Sequence, residues 1–352
     1  MKSRLERKKR QKRYKKKKLF IVLSVFSLFL VVSAAYGAIQ YDIGRTESST
    51  KISGESTAEE TNEDIEVIPI EFNSDEEKDE YINILLVGID ADEGERARTD
   101  TIMIAQYNGK EGTAKLASIM RDSYVTIPGY RDNKINSSFF FGGPELLRKT
   151  IKENFDIDLH YYAMVNFDGF VQVVDVLAPN GIEVDIQNRM YYRDSYADME
   201  INFHPGEQTL VGKDALKYVR FRSDNENDFG RVRRQQEVLN ILKDELLSIS
   251  GITRLPRLIG SIEPYVDTNI TTGKVLNIGR DFILNPVSEV ETLTIPVENG
   301  YRDSRYSHAG SVLELDMEKN KQALHEFFNL QEKSSTYVSN EEDEKKNKQK
   351  ES

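Results

Sequence analysis

The chain has 352 residues, 38% of them hydrophobic, enough for one large domain or two modest ones. It has no cysteine, so disulfides and thiolate chemistry are excluded. Its four histidines, His160, His204, His308 and His325, are scattered without metal-ligand spacing. The net charge of −11 is uneven: residues 1–18 hold twelve Lys or Arg and one Glu, which leaves −22 for the remainder.

That basic tail, 1–18, is too short to bury a core. It runs into residues 19–39, an uncharged apolar stretch of 21 residues, which at about 1.5 Å each match a hydrocarbon layer about 30 Å thick. The positive-inside rule makes the tail cytoplasmic and the rest external, so a single-pass protein of the cell membrane is expected. Ser33, Ala34 and Ala35 would suit a cleaved signal peptide, but the run exceeds the usual signal h-region of about 7 to 15 residues. No nucleic-acid partner is expected, since the tail's charge already explains orientation and eighteen residues leave no room for a helix-turn-helix. Residues 40–80, with fourteen Asp or Glu against three Lys or Arg, read as an acidic extracellular stalk.

The folded domain is expected over 81–330. Residues 82–89 form a nearly continuous apolar run, as in a buried strand, ending at Asp90. Arg98, Thr99 and Asp100 precede a second strand over 101–107, and a third over 114–120 delivers Arg121 and Asp122. Polar groups thus gather at neighbouring strand ends, where open α/β sheets place ligands. Asp90 and Asp100 would suit Mg²⁺, which takes one or two carboxylates and completes its shell with water and phosphate. A strand-end cap with a salt bridge to Arg98 accounts for the pair equally well.

Gly142-Gly143-Pro144 breaks the chain and starts a helix over 144–154. A strand at 161–165, a helix at 167–177, a strand at 181–186, a turn at 203–206 and a helix at 213–219 follow. Later helices are read near 255–262, 273–284 and 318–328, with strands near 291–297 and 311–315. The alternation predicts an α/β class, a layered α-β-α domain with a central mixed sheet, anchored by one N-terminal transmembrane helix. Residues 331–352 read as a disordered polar tail.

Residues 218–236 hold five arginines and no lysine. Arg220 and Arg222 alternate with Val219 and Phe221, which in an extended segment places both guanidiniums on one side. From Gly230 the period is helical, with Val232, Val238, Leu239, Leu242, Leu246 and Ile249 on one face. Arg231 and Gln235 then face inward at a helix start suited to an anion, Arg233 points away and Arg234 sits at the edge. Pairing with Asp224, Glu226 and Asp228 is the alternative. The apolar faces of 167–177 and 232–249 could line a lipid channel, or pack as core.

The ordered segments 83–90, 98–103, 120–125, 127–130, 134–136, 142–145, 218–222 and 228–236 together resemble the LytR-CpsA-Psr family of bacterial cell-wall proteins. The resemblance implies a phosphotransferase that moves a glycopolymer, a wall teichoic acid or capsular polysaccharide, from undecaprenyl pyrophosphate to peptidoglycan. It matches Asp90 and Asp100 to carboxylates associated with Mg²⁺, Mn²⁺ being the alternative. Arg98, Arg121, Arg220, Arg222, Arg231 and Gln235 match the pyrophosphate-binding cluster, and Asp228 another carboxylate of that site. Arg98, Asp100, Arg121, Arg220, Arg222 and Asp228 are the expected catalytic set, with Asp100 ahead of Asp228 as proton acceptor. Met120 stands where the family usually has Pro, Thr99 where Ser is common, and Ala91 where a hydroxyl residue is frequent. A lipid pyrophosphatase, a regulator and a non-catalytic wall-polymer-binding protein are the competing readings.

Overall fold

Strands that are apolar on nearly every residue need cover on both faces. Consecutive Ile102, Met103 and Ile104 are all buried, which shows that the first strands have it. The computed structural model describes residues 36–48, 71–77, 80–90, 98–194, 199–224 and 227–330. The chain divides into two compact units, one of residues 68–164 with 268–352 and one of 1–67 with 165–267; we call them the sheet unit and the helix unit.

In the sheet unit β1 (Ile82–Asp90), β2 (Arg98–Asn108) and β3 (Thr113–Ile119) form an antiparallel meander, and β12 (Val290–Ile295) joins β3 in parallel. With β6 (Tyr161–Val165) and β11 (Val266–Thr268) the sheet is mixed, in the order β11-β6-β1-β2-β3-β12. Helices α2 (Ile135–Phe155) and α8 (Met317–Phe327) pack on it through Leu147, Ile151, Phe155 and Leu324, in one core with Leu85, Val87 and Ile104. A second sheet runs β13 (Tyr301–Tyr306), β14 (Gly310–Leu315), β4 (Ser123–Val125), β5 (Asn133–Lys134). Helix α7 (Thr272–Leu284) completes this unit.

The helix unit is largely an insertion between β6 and β11. Its helices are α3 (Phe167–Leu177), α4 (Gly212–Arg220), α5 (Asn227–Leu247) and α6 (Ile249–Ile262). Two antiparallel hairpin pairs accompany them, β7 (Ile182–Ile186) with β10 (Gly206–Leu210) and β8 (Met190–Asp194) with β9 (Met199–Phe203). Val174, Leu177, Val238 and Leu242 are buried in this unit's core. On α3 the large apolar side chains Phe170, Val171, Val173 and Val176 are only partly buried, and Leu239, placed on the apolar face of α5 by periodicity, is exposed.

The acidic stretch 40–80 is not a solvated stalk where it is described. Residues 36–48 are helical (α1) and lie against α6: Arg257 Nη2 meets Glu47 Oε2 at 2.6 Å, Ser48 Oγ donates to Ser261 O, and Gly44 and Gly260 allow close backbone approach. Residues 71–77 are tied to the sheet unit. Asp75 pairs with Arg148 at 3.2 Å and Glu77 with Lys274 at 2.8 Å, so acids that read as solvating are ion-pair partners. The expected tail 1–18, most of the span 19–39 and the tail 331–352 lie outside the described residues. Among the described residues no helix is long and apolar enough to cross a membrane.

Helix α2 starts earlier than Pro144. It is broken at Gly142 (φ −151°) and Gly143 (φ 60°, ψ −156°), with Pro144 opening the second segment.

Candidate functional site

The β1–β2 pairing holds the first irregularity. Gly88 faces Thr101 while Ile89 faces Thr99, so Asp100 is an extra residue, a β-bulge, and Asp90 faces Arg98 in the last pair before the connecting residues 91–97. Bulges re-aim side chains and end regular pairing. Thr99 fixes this one: its fully buried hydroxyl lies 2.9 Å from Gly88 O and 2.8 Å from Thr101 O. Arg98 and Asp100 therefore belong to β2 rather than to the loop before it. The side chains of Asp90 and Arg98 lie outside the described residues.

Asp100 Oδ1 accepts from Arg121 Nη1 at the end of β3. Arg121 Nε lies 3.7 Å from Asp122 Oδ2, and Lys134 Nζ lies 2.8 Å from Asp122 Oδ1. The result is an alternating chain of two carboxylates and two cations, each about a quarter exposed. Asp122 and Lys134 are not among the expected site residues, although both lie in segments that carry the family resemblance, 120–125 and 134–136. Met120, where a proline is usual, donates its N–H to Ile295 O at 2.8 Å, a bond proline could not make.

In the helix unit the arginine stretch is not an extended strand. Helix α4 runs through Arg220, its C-cap Phe221 is extended (ψ 135°), and Arg222 follows it before α5 begins at Asn227. Alternation failed because Tyr218, Val219 and Phe221 are buried by a helix end rather than by a strand face. The Arg220 guanidinium sits 4.1 Å from the centre of the Phe167 ring, a cation–π contact. At the start of α5 Arg231 is 2% exposed, and its Nη2 donates to Asp228 Oδ2 at 2.9 Å, while Asp228 Oδ1 is buried without a hydrogen bond. Gln235 is half-buried and Arg233 exposed, as the helical period required.

Arg234, left at the edge by periodicity, is 3% exposed. Its Nη1 donates to Asp224 Oδ2 at 2.6 Å and its Nη2 to Phe221 O, with the guanidinium 5.4 Å from the Phe221 ring centre. It closes the α4–α5 turn and is a structural arginine. Behind it Tyr218 Oη donates to Glu237 Oε2 at 2.8 Å; burial, then this bond, push the phenol pKa well above its ordinary value.

Among the described residues no group of three or more His, Asp or Glu could hold a metal ion. The bulge carboxylate Asp100 is a hard oxygen donor, compatible with a cation such as Mg²⁺ that needs only one or two carboxylates. No histidine or cysteine competes there, so the donor chemistry fits Mg²⁺ or Mn²⁺ rather than zinc.

Comparison with known proteins bears on the family and the fold. The model of the LytR_cpsA_psr family matches residues 43–325. The chain is 40% identical over 257 residues to the regulatory protein MsrR of Staphylococcus aureus strain COL, covering 73% of this chain and 77% of MsrR. It is 33% identical over 269 residues to the polyisoprenyl-teichoic acid–peptidoglycan teichoic acid transferase TagU of Bacillus subtilis strain 168, covering 76% and 83%. Among solved structures, Bacillus subtilis TagV superposes with TM-score 0.59 at 27% identity, covering 71% of this chain and 98% of TagV. TagT bound to LIIa-WTA superposes with TM-score 0.56 at 28% identity, covering 71% and 92%. With its fold, its motifs and a family model matched over most of its length, the chain belongs to the LytR-CpsA-Psr family.

Proposed function

We propose that this protein is a membrane-anchored phosphotransferase that moves a glycopolymer from polyprenyl pyrophosphate to peptidoglycan on the outer face of the cell membrane. The observation that carries the reading is the bulge at Asp100, locked by Thr99 near the connected end of the β1–β2 hairpin and set against Arg121, which follows β3. It is supported by similarity to a teichoic acid transferase and to TagT, whose solved complex holds a wall teichoic acid intermediate. The reading includes the anchor helix at 19–39 and a third, helical layer on the central sheet.

In the reaction, an acceptor hydroxyl on the glycan of peptidoglycan attacks the phosphorus nearest the transferred polymer. A new P–O bond forms and the bridging P–O bond breaks. Polyprenyl phosphate leaves with the bond's electrons, and the polymer is joined through a phosphodiester. The hydroxyl proton passes to Asp100, with Asp228 as the alternative acceptor. Arg98 and Arg121 of the sheet unit donate to nonbridging oxygens, where fixed donors lower the barrier as charge shifts. Arg220, Arg222, Arg231 and Gln235 are the helix unit's own candidate anion-binding group. Mg²⁺ or Mn²⁺, held by Asp90 and Asp100, would supply further positive charge to the pyrophosphate. Arg234 takes no part, being committed to Asp224 and Phe221 O.

A regulatory role is the second reading, favoured by the 40% identity to MsrR, a protein named as a regulator. The full chain in detergent, given lipid-pyrophosphate glycan, peptidoglycan and Mg²⁺, separates the readings. Glycan joined to the acceptor supports transfer, loss of pyrophosphate without joining supports hydrolysis, and binding without turnover leaves a regulator or binding module.

A further inference from the structure

The motifs 127–130 and 142–145 are not used by the proposed reaction, yet they build an unusual surface. Tyr130 and Phe141 are 52% and 37% exposed and stack on one another, ring centres 4.9 Å apart and planes 10° apart; Phe140 meets Phe141 edge-on at 5.9 Å. Backbone devices hold them there. Tyr130 follows Gly129 (φ 78°) and its N–H donates to Ile127 O at 2.9 Å, while Phe141 precedes the break at Gly142 and Gly143. Two large rings kept in water beside each other, when a collapsed loop could cover them, mark a contact surface.

The surface continues toward the reaction chemistry. Tyr124 stacks on Tyr306 at 4.5 Å and 13°, and His308 Nε2 lies 3.0 Å from Asp132 O, which ties the Tyr130 loop to that second pair. Across the β4–β5 ladder Tyr124 faces Lys134, whose ammonium meets Asp122, next to Arg121. The strip of rings thus leads along one unit to the Asp100–Arg121 pair. Its rim carries Arg131 and Asp132, both exposed and opposite in charge. An anionic lipid surface or an anionic polymer would call for excess positive charge. A neutral sugar chain calls for what is present: flat rings for the apolar C–H faces of pyranoses, and mixed donors and acceptors for their polar edges.

We propose that the strip of Tyr130, Phe141, Tyr124 and Tyr306 binds the acceptor glycan, a neutral polymer of N-acetylated amino sugars, and delivers it to Arg121 and Asp100. This rests on the transferase reading for its purpose, but binding can be measured without transfer. The full chain in detergent micelles is titrated with a soluble N-acetylglucosamine oligomer and followed by calorimetry and saturation-transfer NMR. The wild type binds saturably; Tyr130→Ala and Phe141→Ala each weaken binding about tenfold. Tyr130→Phe, which keeps the ring, retains binding, and Tyr191→Ala, which removes an equally exposed ring in the helix unit, changes nothing. In the transfer assay the two truncations raise the acceptor KM by a similar factor and leave kcat and the donor KM alone. Absence of oligomer binding, equal binding by wild type and both truncations, or ring-dependent binding to anionic phospholipid vesicles in its place overturns the proposal. Ring-dependent oligomer binding by a protein that transfers nothing upholds the strip and sinks the transferase reading alone.

Discussion

The two clusters of candidate site residues are held in place by different means. In the sheet unit Asp100 owes its position to the backbone: an extra residue in β2, fixed by one buried threonine hydroxyl. In the helix unit the arginines owe theirs to side-chain pairing at helix ends, Asp228 with Arg231 and Asp224 with Arg234. A backbone device separates chemistry from stability, because the acidic group can be changed without disturbing what positions it. A mutually paired cluster does not, since removing one member leaves a buried charge without its counterpart.

The comparison is sharpened most by Asp100→Asn and Arg121→Ala. Each is expected to lower kcat for transfer by about 10² to 10³, the range for losing one group that stabilises developing charge; Asp100→Asn should leave the melting temperature nearly unchanged, whereas Arg121→Ala, which takes the cation from between Asp100 and Asp122, should lower it slightly. A large loss of stability in Asp100→Asn would break the contrast. Arg234→Ala should do the reverse to the helix unit: it removes the donor to Asp224 and Phe221 O, costs about 1 to 3 kcal/mol, and shows as early unfolding in denaturant.

Glu145 extends the pairing logic into the sheet unit and gives it a pH signature. Burial alone would raise its pKa, but Arg148, donating through Nε and Nη2 at 2.8 and 2.9 Å, and Asn73 outweigh that and hold it at about 2. Its contribution is complete above the unfolded value of about 4.5 and is lost as pH falls toward 2. Glu145→Gln should therefore remove a contribution on the order of 3 kcal/mol at neutral pH and flatten stability between pH 4.5 and 2. Thr99→Val, which keeps shape but drops the hydroxyl, should cost about 1 to 3 kcal/mol and also slow transfer, because it frees the bulge. Arg233→Ala should stay within about 0.5 kcal/mol and leave transfer unchanged.

Elements with a clean period were legible from sequence. β1 and β3 follow from nearly continuous apolar runs, and the helical spacing of α5 with Arg231 inward and Arg233 outward follows from 3.6 periodicity. The bulge was not, because it is a mismatch between two strands and has no trace in either one alone. The extended reading of Arg220–Arg222 failed because a helix end buries Val219 and Phe221 as a strand would. Residues 71–77 were misread for lack of apolar pattern; their order comes from ion pairs to Arg148 and Lys274, far along the chain. The hairpin β8–β9 was missed because its strands are only five residues each, although Met199, Ile201 and Phe203 alternate with Glu200 and Asn202 as a half-buried strand would.

The most direct test is product analysis by mass spectrometry, with the full chain in detergent, a lipid-pyrophosphate glycan, Mg²⁺ and peptidoglycan. The account predicts polyprenyl phosphate released in step with glycan joined to peptidoglycan through a phosphodiester, abolished by Arg222→Ala and unaffected by Arg233→Ala. Polyprenyl phosphate without a joined product, or equal loss in the two arginine variants, would contradict it.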